Sequence, residues 1–183
     1  NVALVAANTD KEGYSNFDIN ECSCNYREDK FSVITSANIV NLEYFEEIGR
    51  FNDKLFIDMV DYDYCLRINI KKFKILYFPD VFVEHKLGEV HLRTNIFTRK
   101  KKYKTEHNAQ RAYYIARNYL YVARNYGKYF PNDVGMLHIL NIVFIHDVTK
   151  ILIYEIDKWN KLKAKFIGLY HFIINRYGKY NLK

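Results

Sequence analysis

The chain has 183 residues, 49% hydrophobic and 17% aromatic, with 28 Lys+Arg against 21 Asp+Glu for a net charge of +7. That length and apolar share exclude a disordered tail and are enough for a real core. The charge is uneven: residues 1–95 hold 11 basic and 16 acidic side chains, residues 96–183 hold 17 and 5, so the two halves suit different surroundings.

Cys22, Cys24 and Cys65 are an odd count without zinc-like spacing, and free thiols in a reducing cytosol are expected. No signal peptide opens the chain, and no uncharged run reaches the roughly 18 residues of a spanning helix. The basic residues of the second half are scattered among apolar helices without a recognisable binding motif, so no nucleic-acid partner is expected.

The chain starts without Met, inside an apolar run, and Val2–Ala7 is predicted as a strand. Asn8 to Lys30 is a long polar loop. Phe31–Thr35 is predicted as a second strand, and Thr35-Ser36-Ala37-Asn38 suits a tight turn with hydroxyl caps. Asn41 caps a helix that ends at Gly49, with Leu42, Phe45 and Ile48 three apart on a core face.

Asn52–His85 carries Asp53, Asp58, Asp61 and Asp63 beside core-forming residues. Carboxylates this dense are costly unless solvated, paired or used. A solvated loop leading into a helix N-terminus fits the pattern, and so does a site. The helix after Met59 shows Tyr62, Cys65, Leu66 and Ile70 as one stripe, with Asp63 and Arg67 spaced to pair on its surface. Asp61 falls in the first turn at the edge of that stripe. Phe73–Phe78 and Val81–Glu84 read as two strands broken at Pro79-Asp80, with His85 at the end.

Residues 87–105 are polar and basic, as a solvated loop, a mobile lid or an anionic-surface contact would be. Glu106 to Tyr126 is a strong helix with Ala112, Ile115, Ala116, Tyr119, Leu120, Val122 and Ala123 on its buried side and Gly127 as its stop. Two more helices are expected, near 133–159 and 161–176. The first is interrupted by His146, Asp147, Lys150 and Glu155, which argues against spanning. The second sets Phe166, Ile167, Leu169, Tyr170, Ile173 and Ile174 beside Lys161, Lys163, Lys165 and Arg176. That pattern fits an interfacial helix on anionic lipid, and equally a helix packed on a neighbour or a second subunit.

Several of these pieces, in order, resemble one family. They are Thr35–Asn38, Phe45–Asn52, Leu55–Arg67 (LFIDMVDYDYCLR), Tyr77–His85 (YFPDVFVEH) and Arg111–Asn118 (RAYYIARN). Together they resemble the second half of family 2 glycosyltransferases, inverting enzymes of the GT-A fold, and within them the bacterial rhamnosyltransferase branch. The resemblance runs from about Asn1 to Pro131. It implies an α/β fold: the C-terminal half of a GT-A domain over residues 1–105, then a helical region over 106–183. It implies Asp61 as catalytic base and His85 as ligand of a divalent metal, Mg²⁺ or Mn²⁺. Thr35, Ser36, Asp58, Arg117 and Asn118 would lie toward donor or acceptor. A glycine usual in the family's turn is absent from Thr35–Asn38.

The implied donor is a nucleotide sugar such as dTDP-rhamnose. The implied acceptor is a lipid-linked or growing surface polysaccharide. The place would be the cytoplasm, at the inner face of a bacterial membrane, with self-association compatible. The family's Asp-x-Asp nucleotide half would precede residue 1, so these residues alone are expected to be inactive. The competing expectation is a non-catalytic interaction or membrane-docking module derived from such an enzyme.

Overall fold

The computed structural model describes residues 1–8, 30–83, 90–105 and 107–182. They form a mixed α/β protein of two compact units: Asn1–Asn52 with Asp61–Leu87, and Asp53–Val60 with Gly88–Lys183. The second unit therefore takes in both the 53–60 segment and the residues before 105. The division does not fall at the 105/106 boundary read from the sequence.

The first unit is built on β1 (Val2–Asn8), flanked by β2 (Asn38–Val40) and β3 (Lys74–Phe82). β1 runs antiparallel to β2, with Val5 opposite Ile39, and parallel to β3, with Val5 opposite Leu76. The parallel pair needs a crossover, and α1 (Leu42–Ile48) and α2 (Val60–Ile70) lie on it. Ala3, Leu4, Ala6, Ile48, Tyr64, Cys65, Ile68 and Ile75 form the core between sheet and helices.

Three expectations change here. Phe31–Thr35 is not a strand; the Phe31 and Val33 carbonyls are met by Asn69 Nδ2 and Cys65 Sγ instead of a ladder. Pro79 does not split β3. The strand runs through it, the register slipping between Ala7–Phe78 and Asn8–Phe82; among the described strands β3 is an edge, where a missing N–H is tolerated. Leu42 is 76% exposed, so the core face of α1 is Ile48 with Phe45 packed against it.

Asn41 caps α1 by accepting from Glu43 N, and Gly49 ends it at φ 91, a left-handed conformation that favours glycine. Arg67 then ties α1 to α2. Its Nε and Nη2 donate to Asp63 Oδ2 at 3.0 and 2.8 Å, and its Nη1 donates to the carbonyls of Ile48 and Gly49. The Asp63–Arg67 pair is thus real but not superficial: the Asp63 side chain is fully buried. The buried face of α2 is Asp63, Tyr64, Cys65, Leu66 and Ile68; it keeps Cys65 and Leu66 of the expected stripe, while Tyr62 and Ile70 are only half-buried. Burial pushes the Cys65 thiol up to about 11, which keeps it protonated and unfit as a nucleophile.

Tyr64 Oη is buried with no hydrogen-bond partner among the described residues. Its ring packs against Phe45 and Phe51. Tyr64→Phe keeps that packing and removes an orphan hydroxyl. It should raise thermal stability by about 1 kcal/mol; a variant that melts lower, followed by far-UV circular dichroism, would show that the hydroxyl is bonded.

The second unit opens with a hairpin, β4 (Val90–Thr94) and β5 (Lys101–Thr105), paired antiparallel with Leu92 opposite Tyr103. The basic run is therefore strand rather than loop or lid. Asn95 shapes its turn by accepting from Phe97 N and Thr98 N, while its Nδ2 reaches Tyr154 Oη. α3 (Ala109–Tyr126) is capped by Asn108 and ends at Gly127 in a right-handed conformation, φ −59. α4 (Pro131–Val134), α5 (Met136–Leu140), a π-helical turn (Asn141–His146) and α6 (Asp147–Tyr154) replace the single helix expected near 133–159. Among the described residues, Pro131–Tyr154 is long and apolar enough to cross a membrane by length and composition, despite Asp147 and Lys150.

α7 (Lys158–Ile173) packs on α3. A Cβ at Gly168 would lie 2.6 Å from the Tyr113 carbonyl oxygen, so the helices approach too closely for any side chain there. Two lysines of α7, Lys161 and Lys165, turn inward. Lys161 meets Glu155 at 3.0 Å, and Lys165 meets Asp147 at 2.7 Å and the Val143 carbonyl of the π turn at 3.1 Å. Burial pushes the Lys165 ammonium below the usual lysine range, against the pull of Asp147. Trp159, Phe166, Tyr170 and Ile173 face outward, 83, 64, 58 and 63% exposed. The expected interfacial helix is inverted in part: two lysines meant for lipid headgroups are committed to the carboxylates of Glu155 and Asp147.

His171 Nδ1 sits 2.8 Å from Tyr113 Oη. Burial, then Arg176 and Arg117, lower its pKa; burial, then Arg111 and Lys150, lower that of His107. Both imidazoles favour the neutral form in the fold. Their stabilisation is fully present above the unfolded value near 6.5 and is lost as pH falls through the folded values. The thermal midpoint should decline below about pH 6.5, and less steeply in His171→Gln; equal slopes in the two proteins would refute the assignment.

Candidate functional site

Residues 53–59 have no regular secondary structure. Phe56, Asp58 and Met59 adopt φ of 64, 61 and 66°, left-handed values that disfavour side-chain-bearing residues. Such backbone persists only where its surroundings over-determine it.

Here α3 does so. Arg117, 0% exposed, donates from Nη2 to the carbonyls of Lys54 and Leu55, both at 3.1 Å. Its Nη1 donates to Gly178 O at 2.8 Å and Tyr113 Oη at 3.1 Å, and its Nε to Asn118 Oδ1 at 3.0 Å. Asn118, also 0% exposed, donates from Nδ2 to the carbonyls of Leu55, Ile57 and Asp58 at 2.9, 2.7 and 3.0 Å. The guanidinium lies 5.2, 5.0 and 5.6 Å from the ring centroids of Tyr113, Tyr114 and Tyr177. Carbonyl dipoles and ring faces meet the buried cation. Arg117 is thus neither a surface nor a helix-capping group, and neither it nor Asn118 has a side-chain atom directed to solvent.

Asp58 is held by Arg111. Nε lies 3.0 and 3.2 Å from its two oxygens and Nη2 lies 2.9 Å from Oδ1, a fork-like contact. The Asp58 side chain is 12% exposed and that of Arg111 48%. Phe56, beside them, is 49% exposed and stacks at a tilt on Tyr114, ring centroids 5.5 Å apart.

In the first unit, Asp61 sits half-buried in the first turn of α2. Its Oδ2 accepts from Thr35 N at 3.2 Å and Thr35 Oγ1 at 3.4 Å, and its Oδ1 from Tyr62 N at 2.9 Å. Two positions named from separate parts of the sequence thus meet. Ser36 lies half-buried in the adjoining turn, where Ala37 adopts φ 58, the conformation a glycine takes without cost. His85 lies outside the described residues. Among the described residues no group of three His, Cys, Asp or Glu side chains converges as a metal shell would.

Sequence reasoning treated Arg117 and Asn118 as groups reaching a site and did not see what they hold. The missed partners, Arg111 and Phe56, carry no local signal, since an exposed Arg and an apolar loop residue are common.

A 57-residue stretch of the chain is 35% identical to the dTDP-rhamnosyl transferase RfbF of Shigella flexneri. It covers 31% of this chain and spans 19% of that protein's length. No protein-family model and no solved structure matches the chain. The chain is, over that stretch, similar to a glycosyltransferase.

Proposed function

We propose that the chain is the acceptor-side part of an inverting glycosyltransferase of the GT-A type, moving a sugar, rhamnose, from a nucleotide-sugar donor to a surface-polysaccharide acceptor. The observation that carries this reading is the Thr35–Asp61 contact, taken with the partial similarity to a rhamnosyl transferase. A base for such a transfer must be ionised, fixed and reachable. Asp61 has its carboxylate oriented by three donors and remains only half-buried.

In this reading Asp61 takes the proton of an acceptor hydroxyl as that oxygen attacks the anomeric carbon. The bond from that carbon to the donor diphosphate breaks on the opposite face, its electron pair leaving with the diphosphate, and the configuration inverts. His85 is the proposed ligand of Mg²⁺ or Mn²⁺. The described residues do not themselves form a donor set for the ion. Arg117 and Asn118 fix the backbone that presents Asp58.

The test is an assay, on a panel of nucleotide sugars, of this chain and of any longer polypeptide that contains it. A rhamnosyl product of inverted configuration is expected; no turnover with any donor sinks the proposal.

A second reading, a docking module for an anionic membrane, is favoured by the outward ridge of Trp159, Phe166, Tyr170 and Ile173 and by the excess of basic residues after residue 95. Co-sedimentation with anionic but not zwitterionic vesicles, abolished by Phe166→Glu, would support it. Asp61→Asn separates the two readings, since docking does not need that carboxylate.

A further inference from the structure

In the second unit, Phe56, Ile57, His107, Asn108, Gln110, Arg111 and Tyr114 line a cleft of about 270 Å³. It is smaller than the roughly 300–1,000 Å³ of sites for drug-sized ligands. That space suits a single small ring better than a nucleotide.

Its chemistry is mixed in a particular way. Phe56 offers a half-exposed apolar ring, held out on a left-handed backbone that α3 clamps from behind. Beside the ring stands the Asp58–Arg111 pair. The carboxylate fixes the plane of the guanidinium through Nε and Nη2, and among the described residues Nη1 carries no bond. His107, half-buried at the start of α3, is kept neutral by burial and by neighbouring cations. One ring nitrogen then donates and the other accepts. Lys179 lies 5.7 Å from the Phe56 ring centroid.

An apolar ring face next to fixed donors and acceptors matches a pyranose, whose C–H face is apolar and whose hydroxyls both donate and accept. It matches phosphate poorly, because Asp58 already neutralises Arg111 and adds negative charge at the same place. We infer that this cleft binds one sugar ring of a carbohydrate chain, with Phe56 as platform and Arg111 and His107 as hydroxyl partners. The inference rests on the transferase reading only for why a sugar should come here; the cleft itself is described by its own geometry.

Saturation-transfer NMR of the intact chain with methyl α-L-rhamnopyranoside, in the millimolar range expected for a monosaccharide, tests it. Transfer to the sugar ring protons is expected. Phe56→Ala should cut it about tenfold, as the loss of one central contact does, with the far-UV circular dichroism unchanged because the ring is half-exposed. Arg111→Gln should weaken it similarly and guards against Phe56→Ala acting through the fold.

No transfer to the sugar, undiminished transfer in both variants, or displacement of the sugar by millimolar inorganic phosphate would overturn the inference. A longer protein that turns over donor while this cleft stays silent would overturn the cleft alone. A sugar signal in a protein without turnover would overturn the transferase reading alone.

Discussion

Arg117→Lys should destabilise the second unit by about 3–4 kcal/mol, and Arg117→Ala by at least as much. The guanidinium supplies five hydrogen bonds from three nitrogens: to three backbone carbonyls, one phenol and one amide oxygen. A lysine offers one nitrogen with three protons and no planar fork. It cannot reach Lys54, Leu55 and Gly178 at once. Leu55 O keeps Asn118 Nδ2 and Lys54 O keeps Gly178 N, so the groups left short are Gly178 O and Asn118 Oδ1; each buried polar group left unbonded costs about 1–3 kcal/mol, and the losses are not additive because the groups share one loop. Arg124→Ala is the contrasting variant: its Nη2 bonds Tyr177 Oη at an exposed site, and its loss should stay within about 1 kcal/mol. Urea melts followed by circular dichroism decide the matter. An Arg117→Lys protein as stable as the parent would mean the 53–60 backbone is held by something other than α3.

On the proposed transferase reading, Asp61→Asn in a polypeptide active on nucleotide sugars should lower kcat by about 10²–10⁴, the usual worth of a positioned base, with KM for the donor little changed. An amide keeps the Thr35 and Tyr62 donors close but cannot take a proton at neutral pH. Asp63→Asn should do the reverse. Asp63 is buried and paired with Arg67, so its loss strands a buried guanidinium and lowers stability first. Two aspartates two positions apart on one helix would then separate chemistry from folding. Full turnover by Asp61→Asn would remove Asp61 as the base.

The local signals in the sequence were legible where local physics decides. Asn41 and Gly49 bound α1 because a side-chain cap and a left-handed stop are short-range devices. β1 and the body of α3 followed from apolar pattern. The signals failed where distant groups substitute for local ones. Phe31–Thr35 has strand composition but spends its carbonyls on Asn69 and Cys65. Lys161 and Lys165 look like surface residues until Glu155 and Asp147 are brought against them. The Thr35–Asp61 contact joins residues 26 apart, and nothing in their spacing announces it. The role of Arg117 is also non-local: its partners lie 61–63 positions away, at Lys54, Leu55 and Gly178.

Trp159 is the chain's single tryptophan and stands 83% exposed. Its fluorescence is therefore uninformative about unfolding: the indole is already in water, so urea should barely shift an emission that begins red. The same property makes it a clean optical reporter for whatever comes to rest on that flank of the molecule. A blue shift on adding vesicles or on raising the protein concentration would register the arrival directly, without a label.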